Sequence, residues 1–166
     1  MFSRGDRVLY GARGVCDIVD IEVKPVGAVQ TEYYVLKPVG QPDAKYYVPT
    51  QNPAAVAKLR PILSQQELES LLRGTDTDQA WIEDENQRKL RYRQLLDCGD
   101  RAALVSMVHS LYKHKDAQLA AGRKFHLCDE NFLKDAQKLL DSEFSLVLNI
   151  EQDEVRQYVR DAIGAR

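Results

Sequence analysis

The sequence predicts an α+β protein of two domains, a small antiparallel β-barrel followed by an all-α bundle of about five helices. Over roughly the first 50 residues, apolar and polar residues alternate with a period near two, as in half-buried strands. Beyond Pro61, apolar residues recur three to four positions apart, as in amphipathic helices. This change of period places the domains at residues 1–60 and 61–166.

The N-terminal domain alternates between turn residues and stretches rich in strand-forming residues. Gly11 and Gly14, then Gly27, then Gly40 mark turns at roughly ten-residue spacing. Four or five short strands are too few for a sandwich, so we expect an SH3-like barrel whose closure removes the sheet edges. The long strand over residues 14–24 is expected to bend and to pair with neighbours on both sides.

Helix signals follow one another through the C-terminal domain. Ser64 and Glu67 have the spacing of a capping box, and Asp100 and Asp129 are the predicted caps of the third and fourth helices. The predicted helices start at Ser64, Trp81, Asp100, Asp129 and Glu151. Breaks are expected near Gly74, Gly99 and Gly122.

The composition indicates a cytoplasmic protein without membrane segments. No run approaches the roughly 18 apolar residues that span a bilayer, and Met1 to Arg7 lacks the apolar core of a secretory signal. Cys16, Cys98 and Cys128 are too far apart for a zinc knuckle, so we expect reduced, hydrophobic cysteines.

Enzyme motifs are missing from the sequence. There is no glycine-rich nucleotide loop, no Gly-x-Ser-x-Gly and no His-Glu-x-x-His. His109, His114 and His126 have no suitable acidic partners at ligand spacing. We therefore expect no catalytic residues, no metal, no cofactor and no small-molecule ligand.

Charge is unevenly distributed along the chain, whose net charge is −2. Residues 86–126 carry 9 Lys and Arg against three Asp, whereas residues 127–166 carry 5 against 9 acidic residues. Such a basic island can contact a phosphate backbone, although a solvated helix face explains it equally well. Trp81, the only tryptophan, is either a core anchor or an exposed wedge for a minor-groove base step.

Tyrosines are concentrated in the barrel half. Three interpretations stay open: half-buried strand residues, an aromatic cage for a methylated cation, and a surface that binds a partner protein. The residues are Tyr10, Tyr33, Tyr34, Tyr46 and Tyr47.

The order of several short motifs resembles the CarD/CdnL family of bacterial transcription regulators over nearly the whole chain. In the barrel these are Gly5-Asp-Arg-Val-Leu-Tyr10, Gly14-Val15, Glu32-Tyr-Tyr-Val-Leu-Lys37 and Tyr47-Val-Pro49. In the helical half they are Gly99-Asp100, Gly122-Arg-Lys124 and the Leu-Leu-x-x-Glu-Phe of residues 139–144. The same barrel occurs in the transcription-repair coupling factor, but this sequence lacks helicase motifs and fits the stand-alone regulator better.

The resemblance implies a Tudor-like barrel at 1–60 that binds the β subunit of RNA polymerase, and a DNA-binding helical domain at 61–166. It implies contacts with promoter DNA in the minor groove and along the backbone, with little sequence specificity, at the upstream edge of the melted region. The regulator would thereby stabilise the open complex, as a cytoplasmic protein held at the nucleoid by polymerase. The barrel would deliver a weakly basic DNA surface at high effective concentration.

The resemblance also implies site residues. The expected polymerase contacts are Lys24, Tyr34, Lys37, Tyr47 and Pro49. The expected DNA contacts are Trp81, Arg88, Lys89, Arg91, Arg123 and Lys124. The alternative is a protein–protein adaptor whose helical domain binds another protein in place of DNA.

Overall fold

The computed structural model describes residues 1–164, so the last two residues of the predicted 61–166 domain lie outside the described residues. The chain divides into two compact units, residues 1–62 and 63–166. The boundary between the units follows Ile62, whereas the change of period in the sequence placed the domain boundary after residue 60. We call the first unit the sheet unit and the second the helical unit.

The sheet unit is a five-stranded antiparallel sheet with the strand order β4-β3-β2-β1-β5. Its strands are β1 Arg7–Tyr10, β2 Val15–Val26, β3 Val29–Pro38, β4 Tyr46–Pro49 and β5 Leu59–Pro61. A 3-10 turn, Gly11–Arg13, follows β1, and a short helix α1, Pro53–Val56, precedes β5. Strands β4 and β5 end the hydrogen-bonded order, so the sheet keeps two edges that a fully closed barrel would not have.

The long strand β2 pairs on both sides, as predicted. It runs beside β3 over its length, from Cys16 opposite Pro38 to Val26 opposite Val29. On its other side it pairs with β1 only over residues 15–17. The register shifts between Ile18 and Asp20, as at a β-bulge, where a strand bends and twists more strongly.

The main core cluster of the sheet unit lies on one face of this sheet, and Leu9, Val15 and Val35 are buried on the other face. The central side chains of the main cluster, each 1% exposed or less, are Val8, Cys16, Ile18, Leu36 and Val48. Burial raises the pKa of the Cys16 thiol to about 11, so this cysteine stays protonated at neutral pH. Cys16 is therefore a small hydrophobic core residue.

Between residues 63 and 164 the helical unit contains five helices, and the predicted α+β class is confirmed. They are α2 Gln65–Arg73, α3 Glu85–Cys98, α4 Arg101–Ala120, α5 Leu127–Leu148 and α6 Gln152–Gly164. The caps at Ser64 and Asp100 are confirmed, since each side chain accepts a bond from a backbone N–H of the first turn.

Two helices begin elsewhere than predicted. Helix α3 begins at Glu85 and not at Trp81, because the Asp84 carboxylate accepts the Gln87 N–H at 2.8 Å and caps the helix there. Helix α5 begins at Leu127, so Asp129 lies inside its first turn and is not its cap. Trp81 consequently lies in the loop before α3, outside any helix.

Helix α5 carries central core residues of the helical unit. Phe144 and Ala136 are fully buried among side chains of the other helices, such as Leu68 of α2 and Leu111 of α4. Glu143 is also buried, and its carboxylate accepts two bonds from the Arg101 guanidinium, each 2.7 Å long. A paired, hydrogen-bonded carboxylate is the form in which charge is tolerated in a core.

The capping box of α2 gives a first testable prediction. Ser64 Oγ accepts the Glu67 N–H, and the Glu67 carboxylate accepts the Ser64 N–H, each at 3.1 Å. Ser64→Ala should lower the free energy of unfolding of the helical unit by about 1 kcal/mol in urea titrations. Ser70→Ala, an exposed position on the same helix, is the matched control and should cause no loss. Equal behaviour of the two variants would show that the box adds no stability.

Candidate functional site

Four of the five predicted polymerase contacts lie on one face of the sheet. Alternate residues of a strand share a face, and directly opposed residues of neighbouring strands share it too. Thr31, Tyr33, Val35 and Lys37 are alternate residues of β3. Lys24 is opposite Thr31, Tyr47 opposite Val35, and Pro49 opposite Tyr33. We call Glu22, Lys24, Tyr33, Tyr47 and Pro49 the tyrosine face; Lys37 lies farther along it.

Aromatic and charged groups of the tyrosine face are in contact. The Lys24 ammonium lies 3.9 Å from the centroid of the Tyr47 ring and 3.6 Å from a Glu22 carboxylate oxygen. The rings of Tyr33 and Tyr47 meet edge to face at 6.3 Å. The interaction with Tyr47, and then that with Glu22, raises the pKa of Lys24, which therefore keeps its charge. Tyr47 remains 41% exposed, so this face presents a cation and an aromatic ring that are already ordered.

Tyr34, the fifth predicted contact, lies on the opposite face and belongs to the core. Its side chain is 4% exposed, and its hydroxyl oxygen accepts the Phe2 N–H at 3.3 Å. The Phe2 ring packs against it edge to face at 6.0 Å. A partner cannot reach this ring in the folded unit, so Tyr34 is removed from the candidate contacts.

The tip of the β2–β3 hairpin is a feature that sequence reasoning missed. Val23, Val26 and Val29 are 59%, 54% and 65% exposed, respectively. The alternation of the long strand suggested one continuous buried face, but β1 pairs with β2 only near its start. The distal half of the hairpin therefore presents apolar side chains to solvent, as binding surfaces often do.

Trp81, in the helical unit, is a partly buried ring held by several neighbours. Its indole stacks on the His114 imidazole with centroids 3.8 Å apart and planes within 5°. The Arg88 guanidinium carbon lies 4.7 Å from its centroid, and the Tyr92 ring meets it edge to face at 6.5 Å. Trp81 is thus neither a free wedge nor a fully buried anchor, but an indole held at the surface.

Arg88 is placed otherwise than predicted. The residue is 4% exposed, and its guanidinium donates to both Asp129 carboxylate oxygens, at 2.9 and 3.0 Å. It also donates to the carbonyl of Ile82 at 2.9 Å, directly after Trp81. A buried, bidentate guanidinium cannot contact a phosphate, so the assignment of Arg88 to DNA binding is corrected. Its contacts instead fix the loop that carries Trp81.

The positive charge of Lys89 is paired with the negative charge of a neighbouring carboxylate. Its ammonium lies 3.2 Å from the Glu85 carboxylate, one helical turn away. The bond from Lys89, and then that from the Cys128 thiol, lowers the pKa of Glu85, so this acid is ionised. Two acids that follow Trp81 in the sequence therefore have partners already. Glu85 is paired with the Lys89 ammonium, and Asp84 accepts the backbone N–H of Gln87 as the α3 cap. Lys89 remains part of the surface, with its charge partly neutralised.

The other predicted DNA contacts, Arg91, Arg123 and Lys124, are exposed cations. In the part of the chain that the structure describes, Arg91, Arg123 and Lys124 form no ion pair. Arg123 and Lys124 precede Phe125, whose ring lies 6.3 Å from that of His114. Arg91 borders a groove of about 230 Å³ together with Ile82. We call Trp81, His114, Phe125, Arg91, Arg123 and Lys124 the Trp81 patch.

The Trp81–His114 stack should respond to pH. Burial, and then the nearby Arg88 charge, lowers the pKa of His114, so the folded unit binds this proton less readily than the unfolded chain does. The stabilisation contributed by neutral His114 is therefore present above its ordinary pKa near 6.5 and is lost as pH falls. The fluorescence of the sole tryptophan should change between about pH 8 and about pH 5.

Two variants separate this response from general acid effects. His114→Asn should abolish the pH-dependent part of the fluorescence change. His109→Asn should preserve it, because His109 lies in another groove beside Val105 and Arg160, although burial lowers its pKa as well. A response that survives in His114→Asn would contradict the assignment.

The described residues contain neither a membrane-spanning helix nor a metal-binding cluster. None of their helices is both long enough and apolar enough to cross a bilayer. Across residues 1–164, no three His, Cys, Asp or Glu side chains are grouped as metal ligands would be.

A curved five-stranded sheet with an aromatic and cationic face, followed by a helical bundle, defines a two-unit binding protein. Residues 2–63 match the family model described as the CarD-like/TRCF RID domain, the RNA polymerase-interacting domain of these proteins. The sheet unit therefore carries the CarD-like domain, and a CarD-like family assignment is supported. The domain gives the chain a transcription-related role in binding RNA polymerase. No curated protein matches the chain significantly.

Proposed function

We propose that this protein is a bacterial transcription regulator that bridges the β subunit of RNA polymerase and promoter DNA, and that it stabilises the open complex. The tyrosine face binds polymerase, and the Trp81 patch contacts DNA at the upstream edge of the melted region. The observation that carries the proposal is the CarD-like domain on a sheet whose Lys24 and Tyr47 are ordered and accessible.

Polymerase binding is supported by the composition of the tyrosine face and by the position of β4. Tyrosine is enriched at interface cores, and a desolvated cation–π pair is stronger than an exposed one. Strand β4 ends the strand order, so its outer edge is suited to pairing with a strand of the β subunit. CarD-like polymerase-interacting domains are typically non-enzymatic, and we propose the same for this chain, acting in the cytoplasm at polymerase on the nucleoid.

DNA binding is supported by three cations of the Trp81 patch, Arg91, Arg123 and Lys124, which form no ion pair with any residue that the structure describes. Three phosphate contacts correspond to a salt slope of only about −2.7 on duplex DNA. Such a surface is weak alone, and attachment to polymerase supplies the missing effective concentration. On this proposal the partly exposed Trp81 contacts a base step through the part of the indole that His114 and Arg88 leave free.

A second candidate, a protein–protein adaptor, has one observation in its favour. Much of the basic island is already neutralised: Arg88 by Asp129, Lys89 by Glu85 and Lys115 by Glu130 at 3.0 Å. A surface with fewer free cations suits a protein partner as well as DNA. The following experiment separates the two.

The test is the lifetime of the open complex on a ribosomal-type promoter, with cognate polymerase. The wild-type protein should lengthen the lifetime, and Arg123→Glu/Lys124→Glu should return it to that of polymerase alone, because charge reversal repels phosphate. Lys134→Glu/Lys138→Glu, two exposed lysines of α5, changes the net charge equally and should preserve the effect. Wild-type protein that binds polymerase but leaves the lifetime unchanged would favour the adaptor.

A further inference from the structure

The helical unit contains a groove that lies outside both surfaces described above. Its volume is about 270 Å³, and it is lined by residues of α4 and α6 with α5 contributing Gln137 and Leu140. Its apolar lining consists of Val105, Val108, Leu140, Val159 and Ile163. Grooves between the helices of a bundle that combine apolar walls with a few polar groups are common ligand sites.

The polar residues of this groove are mainly cationic. Its lining includes three cations, Lys113, Arg156 and Arg160, and one carboxylate, Asp116. The Asp116 carboxylate lies 3.9 Å from the Arg160 guanidinium. Among the described residues, Lys113 and Arg156 form no ion pair, and the Arg156 guanidinium rests 3.9 Å from the centroid of the Tyr112 ring. Residues 127–166 carry 9 acidic and 5 basic residues, yet Arg156 and Arg160 are the charged residues of this stretch that line the groove. The groove therefore favours an anionic ligand with an apolar part.

The groove is elongated. Its lining extends along α4 from Val105 to Asp116, about 16 Å at 1.5 Å per residue. An extended alkyl chain matches a long apolar groove of this kind.

We propose that this groove binds a medium-chain carboxylate, with the alkyl chain on the apolar lining and the carboxylate at Arg156 and Lys113. Arg156 is pre-oriented by Tyr112, so little side-chain freedom is lost on binding. The proposal departs from the sequence expectation of no small-molecule ligand, because the lining comes from three helices that are separate in sequence. It does not depend on polymerase or DNA binding.

The test is a titration of the full chain with octanoate, followed by NMR and calorimetry. Octanoate should bind saturably and shift the amide resonances of residues 105–116 and 156–163. Acetate, which has the head group without the chain, and octylamine, which has the chain with the opposite charge, should each bind at least tenfold more weakly. Equal binding of octylamine, shifts confined to other residues, or no saturable binding would overturn the proposal.

Two variants locate the ligand. Lys113→Gln/Arg156→Gln should weaken octanoate binding at least tenfold, whereas Lys134→Gln/Lys138→Gln, which removes the same charge from α5, should leave it unchanged. Val159→Phe should block the groove if circular dichroism shows that the variant folds. If it does not fold, the Lys113/Arg156 pair decides. Binding of an acidic amphipathic peptide to this groove without octanoate binding would replace the proposal by a protein partner.

Discussion

Asp129→Ala is expected to lower the free energy of unfolding of the helical unit by about 3–5 kcal/mol. The side chains of Arg88 and Asp129 are 5% and 1% exposed, and two hydrogen bonds join them. Removal of the carboxylate leaves a buried guanidinium without its counter-charge, which costs far more than the pair itself contributes. Urea unfolding monitored by Trp81 fluorescence measures the loss, because the only tryptophan lies in this unit.

Three further variants show whether the cost comes from the unpaired charge. Asp135→Ala, at an exposed position of the same helix, should change little. Glu85→Gln, which removes the exposed partner of Lys89, should cost far less than Asp129→Ala. Arg88→Met/Asp129→Leu should recover most of the stability lost in Asp129→Ala, since it leaves no buried charge. If the double variant is as unstable as Asp129→Ala, the unpaired charge is not the cause.

The same substitution has a local consequence. Arg88 connects Asp129 to the loop of Trp81 through its bond to the carbonyl of Ile82 and its contact with the indole. Without Asp129 the guanidinium is free to leave this position, and the indole loses a neighbour that holds it beside His114. A stable double variant with altered Trp81 fluorescence would therefore separate the positioning of Trp81 from global stability.

Features that depend on adjacent residues could be predicted from the sequence. The caps at Ser64 and Asp100 are local, because the side chain and the N–H that it accepts are three residues apart. The α3 start could not be located equally well, since Trp81 begins an apolar pattern while Asp84 supplies the cap. For Asp129 the residue type suggested a cap, but its partner Arg88 is 41 positions away and no local pattern reveals that pairing.

The tyrosine pairs show the same limit for the sheet. In Tyr33-Tyr34 one ring must point to the core and the other away from it, because neighbouring strand residues face opposite sides. Composition does not show which of the two rings faces the core. The register of β3 with β2 and β4 decides this, and that register depends on pairing between residues distant in sequence. The predicted polymerase contacts therefore included Tyr34, which is buried, and left out Tyr33, which lies on the tyrosine face.

On the proposed docking to the polymerase β subunit, Tyr47→Ala is expected to weaken binding by about 2 kcal/mol, or about 30-fold. On the proposed docking mode, the ring supplies apolar area at 41% exposure and holds the Lys24 ammonium 3.9 Å from its centroid. Alanine removes both contributions at once. Because Tyr47 lies on end strand β4 and points away from the core, the sheet should fold normally, which circular dichroism checks.

The control for this variant is Val39→Ala, which removes an apolar side chain of nearly equal exposure, 40%, beyond the end of β3. It should bind the β subunit like the wild type. Lys24→Met keeps the length of the side chain and removes its charge, so it should cause a smaller loss than Tyr47→Ala and a weaker salt dependence of binding. Wild-type affinity in a folded Tyr47→Ala protein would place the polymerase contact elsewhere, and the exposed Val23, Val26 and Val29 of the hairpin tip would then be the next surface to test.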